Sequence, residues 1–113
     1  LGFQVVHIGI NRPDEMTAVE TADAFTKLFG FAQKRGSSSI FTGTGLEIMM
    51  SMGAGTSGHI AVQTNYINRA VACLQRKGVR FRMETAKYNE KGKMKAVYLE
   101  EETGGFAVHL VQK

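Results

Sequence analysis

His7-Ile8-Gly9-Ile10-Asn11 returns about 50 residues later as His59-Ile60-Ala61-Val62-Gln63. Each stretch is an apolar run interrupted by one histidine and reads as a strand. The sequence around each copy repeats as well. After the first strand (residues 3–10), residues 15–29 carry Ala18, Ala22, Phe25 and Phe29 at helical spacing, with Asp14 placed to cap the start and Gly30 to stop it. Three short strand-like pieces follow near residues 31–34, 38–42 and 46–50, punctuated by Gly36 and Gly43-Thr44-Gly45. The Gly-rich segment 53–58 reads as a linker.

The second half begins with a strand at 58–63. Ile67, Ala70, Val71 and Leu74 then mark a helix that Gly78 stops. Residues 79–84 alternate apolar and charged, as a half-buried strand does. Two more strands, at 93–100 and 106–112, are separated from it by a hairpin turn at 89–93. The order is βαβββ twice. Gly45-Leu46-Glu47-Ile48-Met49 echoes Ala107-Val108-His109-Leu110-Val111, with one residue of play. These patterns predict an α+β fold: tandem βαβββ modules, about residues 1–52 and 58–113, in a curled, partly open mixed β-sheet barrel with helices outside. A ferredoxin-like βαββαβ order needs its second helix after two strands, not three.

Composition agrees with one domain. The chain has 113 residues, 43% hydrophobic and 21% charged, enough apolar material to exclude disorder. No run reaches the roughly 18 apolar residues of a membrane span, and the start lacks the basic and apolar regions of a secretory signal. The single cysteine, Cys73, cannot form an internal disulfide, which points to the cytoplasm. A net charge of +4 without a Lys/Arg tract favours a small anionic ligand over nucleic acid. The first residue is Leu1, so a processed chain or a domain cut from a longer protein is expected.

The chain's three histidines, His7, His59 and His109, all fall inside expected strands, and so does Glu47. A carboxylate within an apolar strand is costly to bury unless it is paired or binds metal. Strand alternation sets Val5 and Gly9 beside His7, Met49 beside Glu47, Ala61 beside His59 and Ala107 beside His109. The opposite faces carry Val6, Ile8, Leu46, Ile48, Ile60, Val108 and Leu110, which suit packing on helices. The polar face is lined mostly by small residues and leaves room for a ligand. His7 and His59 are repeat-equivalent, as are Glu47 and His109. Two such pairs converging on a pseudo-twofold axis make a four-ligand set for one divalent transition metal (Zn, Ni, Fe, Mn or Co).

With these residues in place, the chain resembles the vicinal oxygen chelate superfamily. That group includes glyoxalase I, extradiol dioxygenases, fosfomycin and bleomycin resistance proteins and methylmalonyl-CoA epimerase. The segments 58–62 and 105–110 carry the resemblance best. It implies that His7, Glu47, His59 and His109 bind a metal which two oxygens of a ligand chelate. The last position is usually Glu in the family and is His109 here, which makes the site one charge more positive and favours an anionic ligand. The segments 6–11, 38–45, 86–89, 96–99 and 104–111 further resemble a C-terminal module of two-domain 4-hydroxy-2-oxoglutarate / 2-dehydro-3-deoxy-phosphogluconate aldolases. That implies a 2-oxo acid ligand and an N-terminal aldolase domain holding the Schiff-base lysine, outside these residues.

The alternatives are a free-standing lactoylglutathione-lyase-like enzyme or epimerase, and a metal-free ligand-sequestering protein of the bleomycin-resistance type. Exposed sheet edges favour a homodimer, with the site inside one chain or shared by two. The basic residues Arg76, Lys77, Arg80, Arg82, Lys87, Lys91, Lys93 and Lys95 read as a solvated face, or else as an anion-capturing rim. Ser37-Ser38-Ser39 reads as a bend, and Cys73 as a small packed residue.

Overall fold

A computed structural model describes residues 1–113. The strands are β1 (Gln4–Asn11), β2 (Gln33–Arg35), β3 (Ser39–Thr42), β4 (Leu46–Met49), β5 (Gly58–Thr64), β6 (Phe81–Tyr88), β7 (Met94–Leu99) and β8 (Phe106–Gln112). The helices are α1 (Glu15–Phe29) and α2 (Ile67–Arg76). All eight strands join one sheet in the order β2-β3-β4-β1-β5-β8-β7-β6. This is the tandem βαβββ α+β fold, with β2 and β6 left as edges.

Helix α1 starts where a short polar side chain can replace missing backbone partners. Asp14 Oδ1 accepts from the Thr17 amide, and the Thr17 hydroxyl faces back to the Asp14 amide. Gly30 ends the helix in the left-handed conformation at φ 72°, where its amide donates to the Thr26 carbonyl. Ala18 and Ala22 pack on Ile40 and Ile48, with Phe25 beside them. Phe29, expected on the same face, is instead exposed, with its ring 6.5 Å from Phe25 and 5.5 Å from Phe31. Helix α2 repeats the design: Ile67, Ala70 and Val71 pack on Val97 and Leu110.

The molecule therefore has two half-cores, one under each helix. Ile48 is fully buried in the first. Ile48→Ala is expected to cost about 2–5 kcal/mol, read as a lower urea midpoint with unchanged slope.

The halves meet at β1 and β5, which pair antiparallel. Each is flanked by a parallel partner, β4 on β1 and β8 on β5. The registers repeat: Gly9 aligns with Glu47, and its counterpart Ala61 aligns with His109. The sequence echo between Glu47 and His109 is thus a spatial equivalence.

Two expectations from strict alternation change. Val5 lies opposite Val62 but His7 opposite Ala61, so a β-bulge places an extra residue, Val6, between them. The bulge reverses the face of everything before it. Val5 consequently shares the face of Val62, which packs toward α2, and does not line the histidine face. In β6, the pairing slips between Arg82 and Lys87. Phe81 packs on the α2 core, while Met83, next in the alternating pattern, is exposed.

The candidate metal centre

The two central strands and their parallel neighbours bring His7, His59, Glu47 and His109 to one face of the sheet, within one chain. His7 and His59 come from β1 and β5, Glu47 from β4 and His109 from β8. His7 Nε2 lies 3.1 Å from His59 Nε2, which lies 3.1 Å from Glu47 Oε1, and His7 Nε2 lies 3.5 Å from that same oxygen. One ring nitrogen from each histidine falls within 4.8 Å of the others.

Room for this packing comes from Gly9. A Cβ there would sit 2.0 Å from the His59 ring, so the ring occupies space that any other residue would fill. Gly9 makes room for the site and does not border open space. Ala61, across from His7 and alongside His109, forms its floor and is fully buried. Ala107 lies beside His59 and lines a cavity of about 180 Å³. Met49 continues the face of Glu47, with its methyl end near Gly53. Of its neighbours, Met50 packs under α1 and Met52 is exposed.

Protonation states follow from the surroundings. Burial lowers the pKa of His7, more than the Glu47 charge raises it. His109 is pushed down to about 4 by burial and by His59 and His7, so it is neutral at neutral pH. Glu47 is held below the usual carboxylate range, first by its hydrogen bond with His59 and then by the Ser39 hydroxyl, which donates to Oε2 at 2.8 Å. The set thus offers an anionic carboxylate with neutral imidazoles at His7 and His109.

The geometry meets what a divalent ion requires. Donors held at roughly 2.0–2.2 Å and subtending 90–109° lie about 2.8–3.6 Å apart, which covers the three separations among His7, His59 and Glu47, while His109 stands within 4.8 Å of the other two histidines. Hydrogen bonding alone leaves the cluster incomplete. An imidazole nitrogen carries one proton or one lone pair, yet His59 Nε2 faces both His7 and Glu47. His109 Nε2 is buried with no hydrogen-bond partner in the chain, which costs about 1–3 kcal/mol.

Ser39 is not legible as a site residue in the sequence, where Tyr98, like Tyr88, stands only as a hydroxyl able to meet a ligand, without a place. Ser39, taken for a bend, is buried and orients Glu47. The signal lay in the hairpin: pairing around 43–45 sets Phe41 against Glu47 and Ser39 against Met49, on the same face. Tyr98 pairs with His109 across β7 and β8 and stacks on it, ring centroids 4.5 Å apart. Of the basic residues, Arg82 and Lys87 reach cavities on this face.

No helix is long and apolar enough to cross a membrane. No protein-family description matches the chain, and no curated protein does. Solved structures do match. A hypothetical protein from Bacillus halodurans C-125 aligns over 100% of this chain and 96% of its own, at 14% identity and TM-score 0.67. Streptomyces coelicolor methylmalonyl-CoA epimerase, in complex with 2-nitronate-propionyl-CoA, aligns over 97% and 96%, at 18% identity and TM-score 0.63. The Mycobacterium tuberculosis methylmalonyl-CoA epimerase aligns over 96% and 86%, at 14% identity and TM-score 0.65. At these identities the likeness is one of fold, and it establishes that this chain has the same glyoxalase-like fold as these proteins nearly from end to end.

Proposed function

We propose that this domain binds one divalent transition metal through His7, Glu47, His59 and His109, and through it chelates a small vicinal-oxygen ligand of the 2-oxo acid kind. The observation that carries the reading is the convergence of His7 Nε2, His59 Nε2 and Glu47 Oε1 at donor spacing beside the unpartnered His109 Nε2. A bound metal would supply Lewis acidity toward the ligand's oxygens. The chain's own residues do the rest. Ser39 aims the carboxylate, Gly9 admits the His59 ring, and Tyr98 braces His109 while keeping its hydroxyl protonated, since burial and the Glu47 charge raise its pKa.

In its fuller form the proposal makes this the C-terminal module of a keto-acid aldolase, supported by the stretches 38–45 and 104–111. Pairing with a second copy is part of it, supported by the two unpaired edges β2 and β6. The alternative of a free-standing epimerase is supported by the solved structures, several of which are methylmalonyl-CoA epimerases; a lactoylglutathione-lyase-like enzyme stands beside it. Turnover by this domain alone would distinguish it.

The test is metal content by mass spectrometry on tag-free protein prepared without chelators. About one ion per chain is expected. No metal, and no uptake of Zn, Ni, Mn or Fe(II), would leave a ligand-sequestering protein whose binding ignores chelators. Ser39→Ala, which frees one carboxylate oxygen, is expected to weaken metal binding roughly 10–100-fold in a chelator competition without lowering stoichiometry at saturation.

A further inference from the structure

The repeat gives the cluster two equivalent walls of different chemistry. On one side Phe41 faces Glu47 and stands edge-on to His7, ring centroids 6.4 Å apart. On the other, the equivalent Tyr98 covers His109. The first wall offers a ligand only an apolar ring. The second offers a hydroxyl donor, and beyond it a cavity of about 190 Å³ lined by His109, Tyr98, Thr85 and Lys87.

Lys87 is the notable member of that cavity. The ion pairs on neighbouring residues, Arg82 with Glu84 and Arg80 with Glu100, leave it out, and no carboxylate lines the cavity. The adjoining cavity around Arg82 is different, because Glu100, Glu101 and Glu102 line it and would repel an anion. Lys87 also stands apart from the cluster. It lies on β6, two strands from His109 and two residues further along, about 12 Å at the backbone, and its flexible stem closes part of that gap. An anionic group held by Lys87 is therefore several bonds removed from oxygens held at the histidines.

We propose that the ligand chelated at the histidine cluster carries a second carboxylate, bound by Lys87 with the Tyr98 hydroxyl donating to it, so that the ligand class is 2-oxo dicarboxylates. This rests on the metal-chelate reading above. The chelating end is matched by the cluster, the carbon chain crosses the Tyr98 ring, and the far carboxylate meets the one cation that lines the cavity. Lysine serves here as a point charge, so arginine can substitute for it in part.

The experiment uses protein loaded with Zn, its metal content measured on the same samples. Calorimetric titration compares 2-oxoglutarate with 2-oxopentanoate, which has a methyl group where the former has its second carboxylate. In the unaltered protein 2-oxoglutarate is expected to bind at least about tenfold more tightly, as a charge-assisted contact implies. Lys87→Met should erase that preference while leaving metal content and 2-oxopentanoate affinity unchanged, and Lys87→Arg should restore much of it. Metal-loaded protein that binds both acids equally, or a preference that survives in Lys87→Met, overturns the assignment of Lys87 and leaves the metal reading intact. Protein that takes up no metal overturns the metal reading and this inference with it.

Discussion

His59→Ala is expected to lose the metal while keeping the fold. His59 is the most buried of the three histidines, at 6% exposure, and its Nε2 is the shared neighbour of His7 Nε2 and Glu47 Oε1. Removing it takes away a donor and also the hydrogen bond that does most to keep Glu47 ionised. The Glu47 pKa therefore moves up toward its ordinary value, and the remaining donors lose their common centre. Since an outer-shell loss costs roughly 10–100-fold in metal affinity, loss of this ring should cost more than about 100-fold. The helix-side cores do not include His59, so the circular dichroism spectrum should stay native. Metal per chain after chelator challenge is the measurement. A variant that retains its metal would remove His59, and with it the proposed set, from consideration. Gly9→Ala offers an independent route to the same outcome, because its Cβ, 2.0 Å from Cε1 and 2.7 Å from Nε2 of His59, displaces the ring while every ligand residue is kept.

Gly58→Ala is expected to abolish stable folding. Gly58 opens β5 at φ +147°, a backbone conformation that L side chains rarely adopt. Strain alone would cost about 1–3 kcal/mol. The collision is worse: a Cβ would lie 1.8 Å from the Gly9 carbonyl oxygen and 2.8 Å from its carbon. These are backbone atoms of β1, so relief requires parting β1 from β5, the seam that joins the two modules. The combined penalty should exceed about 4 kcal/mol, a large share of the 5–15 kcal/mol that holds an ordinary domain together. The protein should be recovered insoluble, or melt at least about 15 °C lower by calorimetry. Gly78→Ala separates strain from collision. Its φ is +90°, but nothing lies within 4 Å of the added carbon, so it should show the strain cost alone and a smaller fall in melting temperature than Gly58→Ala. Equal melting of the two variants would show that backbone collision at the seam is not what makes Gly58 necessary.

Much of the fold was legible because it is local and repeated. Ala18 and Ala22 at helical spacing between Asp14 and Gly30 define α1 at the residues the structure shows. The two copies of the His-Ile strand announce the duplication. The equivalence of Glu47 and His109 then follows from aligning copies, and the matching registers on β1 and β5 bear it out. Alternation failed where a strand is irregular. The bulge at Val6 and the slipped pairing in β6 add residues that no period-2 pattern reveals, because a bulge is decided by what the neighbouring strand needs. Hence Val5 lies on the face opposite the one that alternation predicts.

The sequence by itself determined the order of elements, the duplication and the four residues worth watching, since those depend on side-chain periodicity and on which residue types can sit among aliphatics. Tertiary structure alone decided that all four converge within one chain, because that depends on β1 pairing with β5 and not with a neighbouring molecule. It alone decided that the His59 ring lies over Gly9, that Ser39 holds Glu47, and that Tyr98 and Lys87 stand on one wall with Phe41 on the other. Such contacts are set by strand register and sheet curvature, which sum over long-range pairings that a short run of residues does not encode.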